Sequence, residues 1–257
     1  MITAIVQARM SATRLPNKVL LTLGEKTILE HVVDRVRKSE YIEDVVVATS
    51  NDKTDDKIAK LCQEKKINYF RGSLNDVLDR YYQVAKKYKA KHICRITSDC
   101  PFIDPEIIDQ VAKIYFNKKH DYISTGRIKI TFPDGVDTEI FSFNTLEKAW
   151  QEAELSSERE HVTTYIWKNP EKFKIHTVNC KENFSFMRWT VDEESDLKFV
   201  REVYKRINKS NGIFHMRDIL NMLEKNPELI KINGNIKNDE GYYKSLKKDK
   251  VKNYEKD

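Results

Sequence analysis

A short polar stretch near the start of the chain contains three cations, Arg9, Arg14 and Lys18. It follows an apolar run typical of a buried strand, and Pro16 disfavours helix at the residue before it, so residues 8–18 are predicted to form a loop. Crowded cations repel one another unless an anion lies among them. Open α/β sheets bind ligands in loops at the carboxyl ends of their strands. We therefore predict a polyphosphate site here, with a solvated basic loop as the alternative.

This loop does not match the common phosphate-binding motifs. It contains no glycine, so neither the GxxxxGK[ST] pattern nor the GxGxxG fingerprint is present. Backbone amides and hydroxyl groups such as that of Ser11 would make the hydrogen bonds, and the three cations would supply the charge.

Two carboxylates follow strands that are predicted from apolar runs. Asp99 follows the strand at residues 92–97, and Asp192 follows the strand at residues 187–191. A carboxylate just past a buried strand can hold a divalent cation that bridges phosphate oxygens. The alternatives are an Asx turn for Asp99 and a helix N-cap for Asp192. Together with the cationic loop, the pair predicts metal-assisted phosphoryl or nucleotidyl transfer, with magnesium held by oxygen ligands.

Two other stretches contain candidate binding residues. Gly72 would let the backbone approach a ligand closely, and Ser73 and Asp76 offer polar groups near a helix start, so this loop could read a base. A turn with an N-cap explains the same residues. A second group, for which turns, caps and a buried histidine are the alternatives, could line an acceptor pocket: Asp134, Asp137, Glu139, Arg159 and His161.

The composition describes a globular protein. Of the 257 residues, 40% are hydrophobic and 33% are charged. No apolar run approaches the roughly 20 residues that span a bilayer, and no signal-peptide pattern opens the chain, so we expect a cytoplasmic protein without membrane insertion. The four cysteines form no CxxC pair, which argues against a disulfide framework or a zinc site.

The net charge of +6 is modest, and lysines near the end of the chain contribute much of the excess. A basic tail without interleaved aromatic residues is more typical of solubilisation than of nucleic-acid binding, so no nucleic-acid partner is expected. A nucleic-acid binder that uses this tail is the alternative.

Alternating strands and helices must position the candidate residues in the first half of the chain. After the opening strand, strands are predicted at 44–49, 67–70 and 92–97, and helices at 27–38, 55–65, 75–88 and 104–116. This alternation predicts an α/β fold, a mostly parallel sheet with helices on both faces. Right-handed crossovers bring the carboxyl ends of the strands, and their loops, to one edge.

The second half changes character and predicts a small inserted β/α subregion. Short strands are predicted at 121–125, 129–132, 138–141, 173–178 and 187–191, and helices at 144–153, 157–167, 194–207 and 215–223. We expect one domain over residues 1–225, with an acceptor or dimerisation subregion at 120–180. Residues 226–257 are expected to form a polar basic tail.

These motifs in combination resemble the cytidylyltransferases that activate acidic sugars, the CMP-KDO and CMP-nonulosonate synthetases, and most closely the SpsF-type branch. The resemblance covers roughly residues 1–225. It rests on the segments 8–20, 71–82, 97–104, 132–137 and 191–197.

The resemblance implies a Rossmann-like nucleotide-diphospho-sugar transferase fold, usually dimeric. It implies that Arg9, Lys18, Asp99 and Asp192 are catalytic, with the two aspartates holding Mg²⁺, and that Ser73 and its neighbours read the base. The nucleotide-binding residues implied are Ala8, Arg9, Ser11, Arg14, Lys18, Arg71, Gly72, Ser73, Asp76, Thr97 and Asp99. The sequence departs from the family where its usual Asp-Thr reads Asp192-Glu193, and the region 125–141 does not align with the KDO or sialate enzymes.

We therefore predict an enzyme that transfers CMP from CTP to an acidic sugar or a phosphorylated small acceptor and releases pyrophosphate, as a homodimer, in surface polysaccharide or glycan biosynthesis. A glycosyltransferase of the same fold is one alternative, but it would normally carry an Asp-x-Asp motif where this chain reads Ser98-Asp99-Cys100-Pro101. A nucleotide-binding protein without catalysis is the other.

Overall fold

The computed structural model describes residues 1–207, 213–236 and 240–254. Seven of its strands form one mixed sheet in the order β5–β4–β1–β6–β8–β7–β9, and β2 pairs with β3 in a small hairpin. The strands are β1 (Ile2–Gln7), β2 (Thr22–Leu23), β3 (Lys26–Thr27), β4 (Ile42–Ser50), β5 (Asn68–Gly72), β6 (His92–Thr97), β7 (Tyr122–Ser124), β8 (Glu139–Ser142) and β9 (Ile175–Thr177).

Helices connect these strands and cover the sheet. They are α1 (Ile28–Val36), α2 (Asp56–Glu64), α3 (Val77–Lys87), α4 (Pro105–Lys118), α5 (Phe143–Glu152), α6 (Ser156–Glu160), α7 (Thr164–Lys168), α8 (Glu194–Ile207), α9 (Met216–Lys225) and α10 (Glu240–Tyr254). None of the helices in the described ranges is long and apolar enough to cross a membrane.

The side chains of the central strand β1 are buried on both faces of the sheet. It pairs in parallel with β4 on one side and β6 on the other. Side chains alternate along a strand, so Ala4 and Val6 enter one hydrophobic core while Ile5 enters the other. The prediction of a mostly parallel α/β sheet with helices on both faces is confirmed. The strands of the inserted subregion join this sheet through β8, which is antiparallel to β6.

Local sequence signals set several helix starts. The hydroxyl of Thr27 accepts a hydrogen bond from the backbone N–H of Glu30, and the Glu30 carboxylate accepts one from the N–H of Thr27, a complete capping box at α1. Asp104 caps α4, and Pro105 is its first residue, as predicted. Helix α5 differs from its prediction, because Ser142 is its cap and it begins before Asn144.

Three predicted elements are wrong. Residues 129–132 form no strand, because the backbone and hydroxyl of Thr131 bond instead to the loop at 180–184. Residues 187–191 form an isolated bridge rather than a strand, since their hydrogen bonds go to loops. The single helix predicted at 157–167 is two, α6 and α7, because Val162 adopts a left-handed φ of 60° that ends a right-handed helix.

The part of the C-terminal tail within the described residues packs against the domain. Residues 227–232 form a 3₁₀ helix, and α10 lies against α6. The backbone N–H of Ser157 donates to the Asp249 carboxylate at 2.9 Å. Residues 237–239 and 255–257 of the predicted tail lie outside the described residues. The placement of α10 brings a remote segment to the ligand edge of the sheet.

Candidate active site

A cavity of about 570 Å³ opens at the carboxyl ends of β1 and β6. Its lining includes residues of the loop after β1, the loop after β6 and α10. Among the predicted site residues, those that line it are Ala8, Arg9, Ser11, Arg14, Lys18, Thr97, Asp99, Asp134, Asp137, His161 and Asp192. The parallel pairing of β1 and β6 brings the cationic loop and Asp99 to one edge of the sheet, and Asp192 lines the same cavity.

Lys18 lies between the two carboxylates. Its Nζ donates to Oδ2 of Asp99 at 2.6 Å and to Oδ1 of Asp192 at 2.7 Å. Asn17, in the left-handed region with φ of 60°, precedes the short 3₁₀ helix that begins at Lys18. Burial lowers the pKa of Lys18, but the charges of the two aspartates outweigh it and raise that pKa above its usual value. The ammonium therefore stays charged at every physiological pH.

Asp99 carries the complementary charge. Burial raises the pKa of its carboxyl, but Lys18 more than offsets this and holds the pKa below its ordinary range. The backbone carbonyl of Asp99 accepts from the N–H of Val191 at 2.8 Å, which fixes the loop after β6 to the segment before Asp192. This contact explains how two carboxylates from distant parts of the sequence meet.

Asp192 is held by Arg188, a buried guanidinium that was not predicted to contribute. Arg188 donates to Oδ2 of Asp192 and to Oδ2 of Asp134, both at 2.7 Å, and its Nε donates to Oδ1 of Asp196 at 3.0 Å. Burial lowers the pKa of Arg188, but the charges of Asp134 and Asp196 outweigh burial and raise that pKa above its usual value. The motif around Asp192 contains Arg188, yet nothing in its local spacing shows that it would connect three carboxylates.

The two loop arginines also contact carboxylates. Arg14 lies 3.0 Å from Asp192 and 3.1 Å from Glu240 of α10. Arg9 is closer to solvent, 3.7 Å from Glu160. The Arg9–Glu160 and Arg14–Glu240 pairs are partly exposed and therefore weak, so a phosphate with more negative charge can replace these glutamates at small cost. The cations are therefore held ready for an anionic ligand.

The predicted base-reading loop stands outside the lining of this cavity. Arg71 bonds instead to Asp56 at 2.7 Å and to the carbonyl of Ser50 at 2.9 Å. Asp76 caps α3 and pairs with the guanidinium of Arg159. Arg159 was itself predicted to bind the acceptor. Ordinary turn and capping roles account for these placements.

Gly72 and Ser73 of the same loop also take structural positions. A Cβ at Gly72 would lie 3.2 Å from Cγ of Arg80, so the glycine leaves room for that side chain. The Ser73 hydroxyl accepts from the N–H of Asp76 at 3.0 Å in a turn before α3.

Glu139, also predicted to bind the acceptor, is enclosed in the sheet with 1% of its surface exposed. Its carboxylate pairs with Arg95 and Arg127 and accepts from Tyr122 at 2.8 Å and Thr163 at 2.5 Å. Burial raises the pKa of Glu139, but the two arginines outweigh it and lower that pKa to about 2. Its position is that of a counterion that orients the arginines, both of which line the cavity.

Helix α10 supplies lining residues that were not predicted from the sequence. Ser245 donates to Oε2 of Glu160 at 2.6 Å and lies 3.0 Å from Nε2 of His161. Burial is the main reason that the pKa of His161 falls to about 4, so the imidazole is neutral at physiological pH. The α10 residues at the cavity are Glu240, Gly241, Tyr242, Lys244, Ser245 and Lys248.

The oxygen donors of Asp99 and Asp192 are of the kind that magnesium prefers. Both carboxylates reach the single ammonium of Lys18, so they converge on one point that a cation already occupies. The donor chemistry of this pair therefore fits a magnesium ion.

Comparisons with known proteins show similarity over most of the chain. A family profile described as "Cytidylyltransferase" matches residues 3–240. An uncharacterised protein of Methanocaldococcus jannaschii is 40% identical over 92% of this chain and 96% of its own. The spore coat polysaccharide biosynthesis protein SpsF of Bacillus subtilis is 32% identical over 87% of this chain and 94% of its own. The chain belongs to the cytidylyltransferase family.

A solved structure and a partial relative support the same assignment. The structure of a cytidylyltransferase from Leptospira borgpetersenii superposes with a TM-score of 0.85 at 33% identity, covering 92% of this chain and 98% of that one. A 3-deoxy-manno-octulosonate cytidylyltransferase of Geobacter sulfurreducens is 28% identical over 50% of this chain and 56% of its own. The protein is thus a CTP-dependent cytidylyltransferase with the nucleotidyltransferase type of Rossmann-like fold.

Proposed function

We propose that the protein transfers CMP from CTP to an acidic sugar or a sugar-like acceptor and releases pyrophosphate, in the synthesis of a surface polysaccharide or glycan. The observation that carries this proposal is the single cavity in which Arg9, Arg14 and Lys18 meet Asp99 and Asp192. A cation-rich wall suits a triphosphate, and paired carboxylates suit its metal ion.

In the proposed reaction, an acceptor hydroxyl attacks the α-phosphorus of CTP in line. A new P–O bond forms to the acceptor, the hydroxyl releases its proton to solvent, the bond to the β-phosphate breaks, and pyrophosphate leaves. Negative charge builds on the leaving phosphates, so the fixed cations Arg9, Arg14 and Lys18 stabilise the transition state. The raised pKa of Lys18 keeps its charge in place throughout.

Magnesium belongs to the proposal, with Asp99 and Asp192 as its ligands. When bound, it would neutralise phosphate charge and lower the pKa of the attacking hydroxyl. Arg188 supports this arrangement because it holds one oxygen of Asp192 in place and leaves Oδ1 directed at Lys18.

The acidic character of the acceptor is supported by further positive charge in the cavity lining. Arg127, Lys244 and Lys248 line the cavity as well, and a carboxylate or a phosphate would find cationic partners among them. The names of two relatives point the same way, since one is a polysaccharide biosynthesis protein and another acts on 3-deoxy-manno-octulosonate. An acceptor that carries an anion fits both observations.

Pyrophosphate release tests the proposal. The protein would be given magnesium, each of the four ribonucleoside triphosphates, and a panel of acidic sugars, sugar phosphates and neutral sugars. We expect release with CTP and one acidic acceptor, and loss of that release in Lys18→Met. Lys60→Met, at an exposed position on α2, is the matched control. Release that is equal with neutral sugars would overturn the acidic acceptor, and full activity of Lys18→Met would overturn the site.

A homodimer and a cytoplasmic location complete the proposal. The 120–180 subregion contains two exposed apolar residues. Ile128 is 60% exposed and Ile130 is 40% exposed. Exposed apolar side chains can contribute to a subunit contact, although Ile130 also lines the cavity. Light scattering after size exclusion gives the mass directly, and a monomer at micromolar concentration would contradict the dimer.

A further inference from the structure

Gln7 is the last residue of β1, at the point where the strand enters the cavity. Its backbone lies between Ala48 of β4 and Thr97 of β6 in the sheet register. The side-chain oxygen Oε1 is buried and accepts no hydrogen bond from any group in the described part of the chain. Leaving a buried carbonyl oxygen unpaired costs free energy, so a donor is expected to reach it when the cavity is filled.

The alternation of side chains shows which side of the sheet this amide faces. Ile5, two residues earlier, packs in the core that contains Val77 of α3, whereas Val6 packs in the opposite core. Gln7 therefore shares the face of Ile5 and is directed toward the start of α3. Val77 lines the cavity there and offers an apolar surface against which a flat ring can lie.

Arg80, on the next turn of α3, is the second polar group in this part of the cavity. Only 1% of its surface is exposed. Its Nη1 donates to the carbonyl of Ala48 at a long 3.4 Å, and its Nε has no hydrogen-bond partner among the described residues. A buried guanidinium with so few acceptors is a donor set that a ligand can complete.

We propose that Gln7 is a specificity-determining residue that reads the base of CTP, with Oε1 accepting a hydrogen bond from the 4-amino group of cytosine. Cytosine presents that amino donor beside the acceptors N3 and O2, and Arg80, which can only donate, suits the acceptors. Uracil presents O4 and N3–H instead, so an acceptor would meet an acceptor and a donor would meet a donor.

A glutamine amide can turn over, so Gln7 alone cannot exclude uracil. The guanidinium cannot change its pattern, and it therefore sets the direction in which the amide is used. Gly72 supports this by leaving room for the stem of Arg80. The inference rests on the proposed binding of CTP in this cavity and adds the residue that selects the base.

Calorimetric titration of the full-length protein with magnesium and no acceptor tests the inference. The probes are CTP, UTP and the triphosphate of 2-pyrimidinone riboside, which lacks the 4-amino group. We expect the wild type to bind CTP more tightly than either analogue. Gln7→Met, which keeps the length of the side chain and removes the hydrogen bond, should bind CTP roughly 3- to 10-fold more weakly. Gln7→Met should bind CTP and the 2-pyrimidinone nucleotide about equally. In this variant the 4-amino group of cytosine has no partner, so a base that lacks this group loses nothing.

The controls separate base reading from a structural role. Because the described contacts give the amide no partner to lose, the melting temperature of ligand-free Gln7→Met should equal or exceed that of the wild type. Gln63→Met, on exposed α2, should leave all three affinities unchanged. Equal weakening of all three nucleotides in Gln7→Met, or an unchanged preference for CTP over UTP, would overturn the inference. No acceptor is used, so failure of the acidic-sugar proposal leaves this measurement intact.

Discussion

Nζ of Lys18 lies 2.6 Å from Oδ2 of Asp99, although 81 positions separate the two residues in the chain. Neighbouring parallel strands explain the contact, because the loops after β1 and β6 leave the same edge of the sheet. The pair joins the cationic loop to the candidate metal ligands. In the proposed nucleotide complex, Lys18 exchanges a carboxylate partner for a phosphate.

Replacing Lys18 should affect both turnover and stability. In Lys18→Met we expect loss of nucleotidyl transfer, since the leaving phosphates lose a fixed charge. We also expect the free energy of unfolding to fall by roughly 1–3 kcal/mol, because Asp99 and Asp192 remain without their shared cation. Urea unfolding and a pyrophosphate assay measure the two effects.

Lys60→Met should show neither effect, because Lys60 lies in an exposed pair with Glu64 at 3.9 Å. A Lys18→Met protein that unfolds at the wild-type urea midpoint would mean that the two carboxylates do not depend on this lysine.

Magnesium should distinguish the wild type from the lysine variant. Without nucleotide, Lys18 occupies the space between Asp99 and Asp192, so added magnesium should raise the wild-type melting temperature little. In Lys18→Met the two carboxylates lose the ammonium between them, although Asp192 keeps Arg188 and Arg14 as partners, and magnesium should raise the melting temperature by several degrees. Thermal unfolding with and without the ion, and with EDTA, provides the measurement. Equal shifts in both proteins would argue against metal ligation by this pair.

Glu139 should make stability depend on pH in a defined direction. Its carboxyl has a pKa of about 2 in the folded protein, below the value of 4.5 for a free glutamate. A lowered pKa contributes stability that is complete above the unfolded pKa and is lost as pH falls toward the folded one. The difference in unfolding free energy between wild type and Glu139→Gln should be about 3 kcal/mol at pH 7 and should shrink between pH 5 and pH 2.

Urea unfolding at several pH values measures that difference. Glu154→Gln, whose side chain is exposed, serves as a control and should show almost no difference from wild type at any of them. A difference that stays constant down to pH 2 would contradict the buried ion pair of Glu139 with Arg95 and Arg127.

The packing of α10 against the domain should weaken when the buried hydroxyl of Ser245 is removed. Ser245→Ala loses hydrogen bonds to Glu160 and His161, so amide hydrogen exchange in residues 240–249 should become faster. The fluorescence of Trp167 should change as well, since its ring lies 5.7 Å from that of Tyr242. Ser185→Ala, in an exposed loop, is the matched control. Unchanged exchange in Ser245→Ala would show that other contacts hold the helix.

The same helix should respond to CTP. Glu240 pairs with Arg14 at 3.1 Å, and a triphosphate competes for that arginine. Glu240→Gln should therefore bind CTP several-fold more tightly than the wild type in calorimetric titration. Weaker binding would mean that Glu240 helps to hold the nucleotide instead.

Short-range signals in the chain were enough for much of the fold. The apolar runs of the parallel strands, the capping box at Thr27 and Glu30, and the Asp104-Pro105 start of α4 involve residues within a few positions of one another. Such features act locally and can be recognised without the rest of the protein. The cationic loop was visible for the same reason, because its charges are adjacent in the sequence.

Partners that are distant in the chain depended on packing. Glu139 was predicted to line a pocket, but in the folded protein it is buried in the sheet beside Arg95 and Arg127. The contacts of α10 with Ser157 and Glu160 could not be predicted from the lysine-rich tail. Burial and ion pairing depend on which elements become neighbours, and topology rather than local spacing decides that. The residue types of the active site could therefore be read from the chain, while their pairing required the folded molecule.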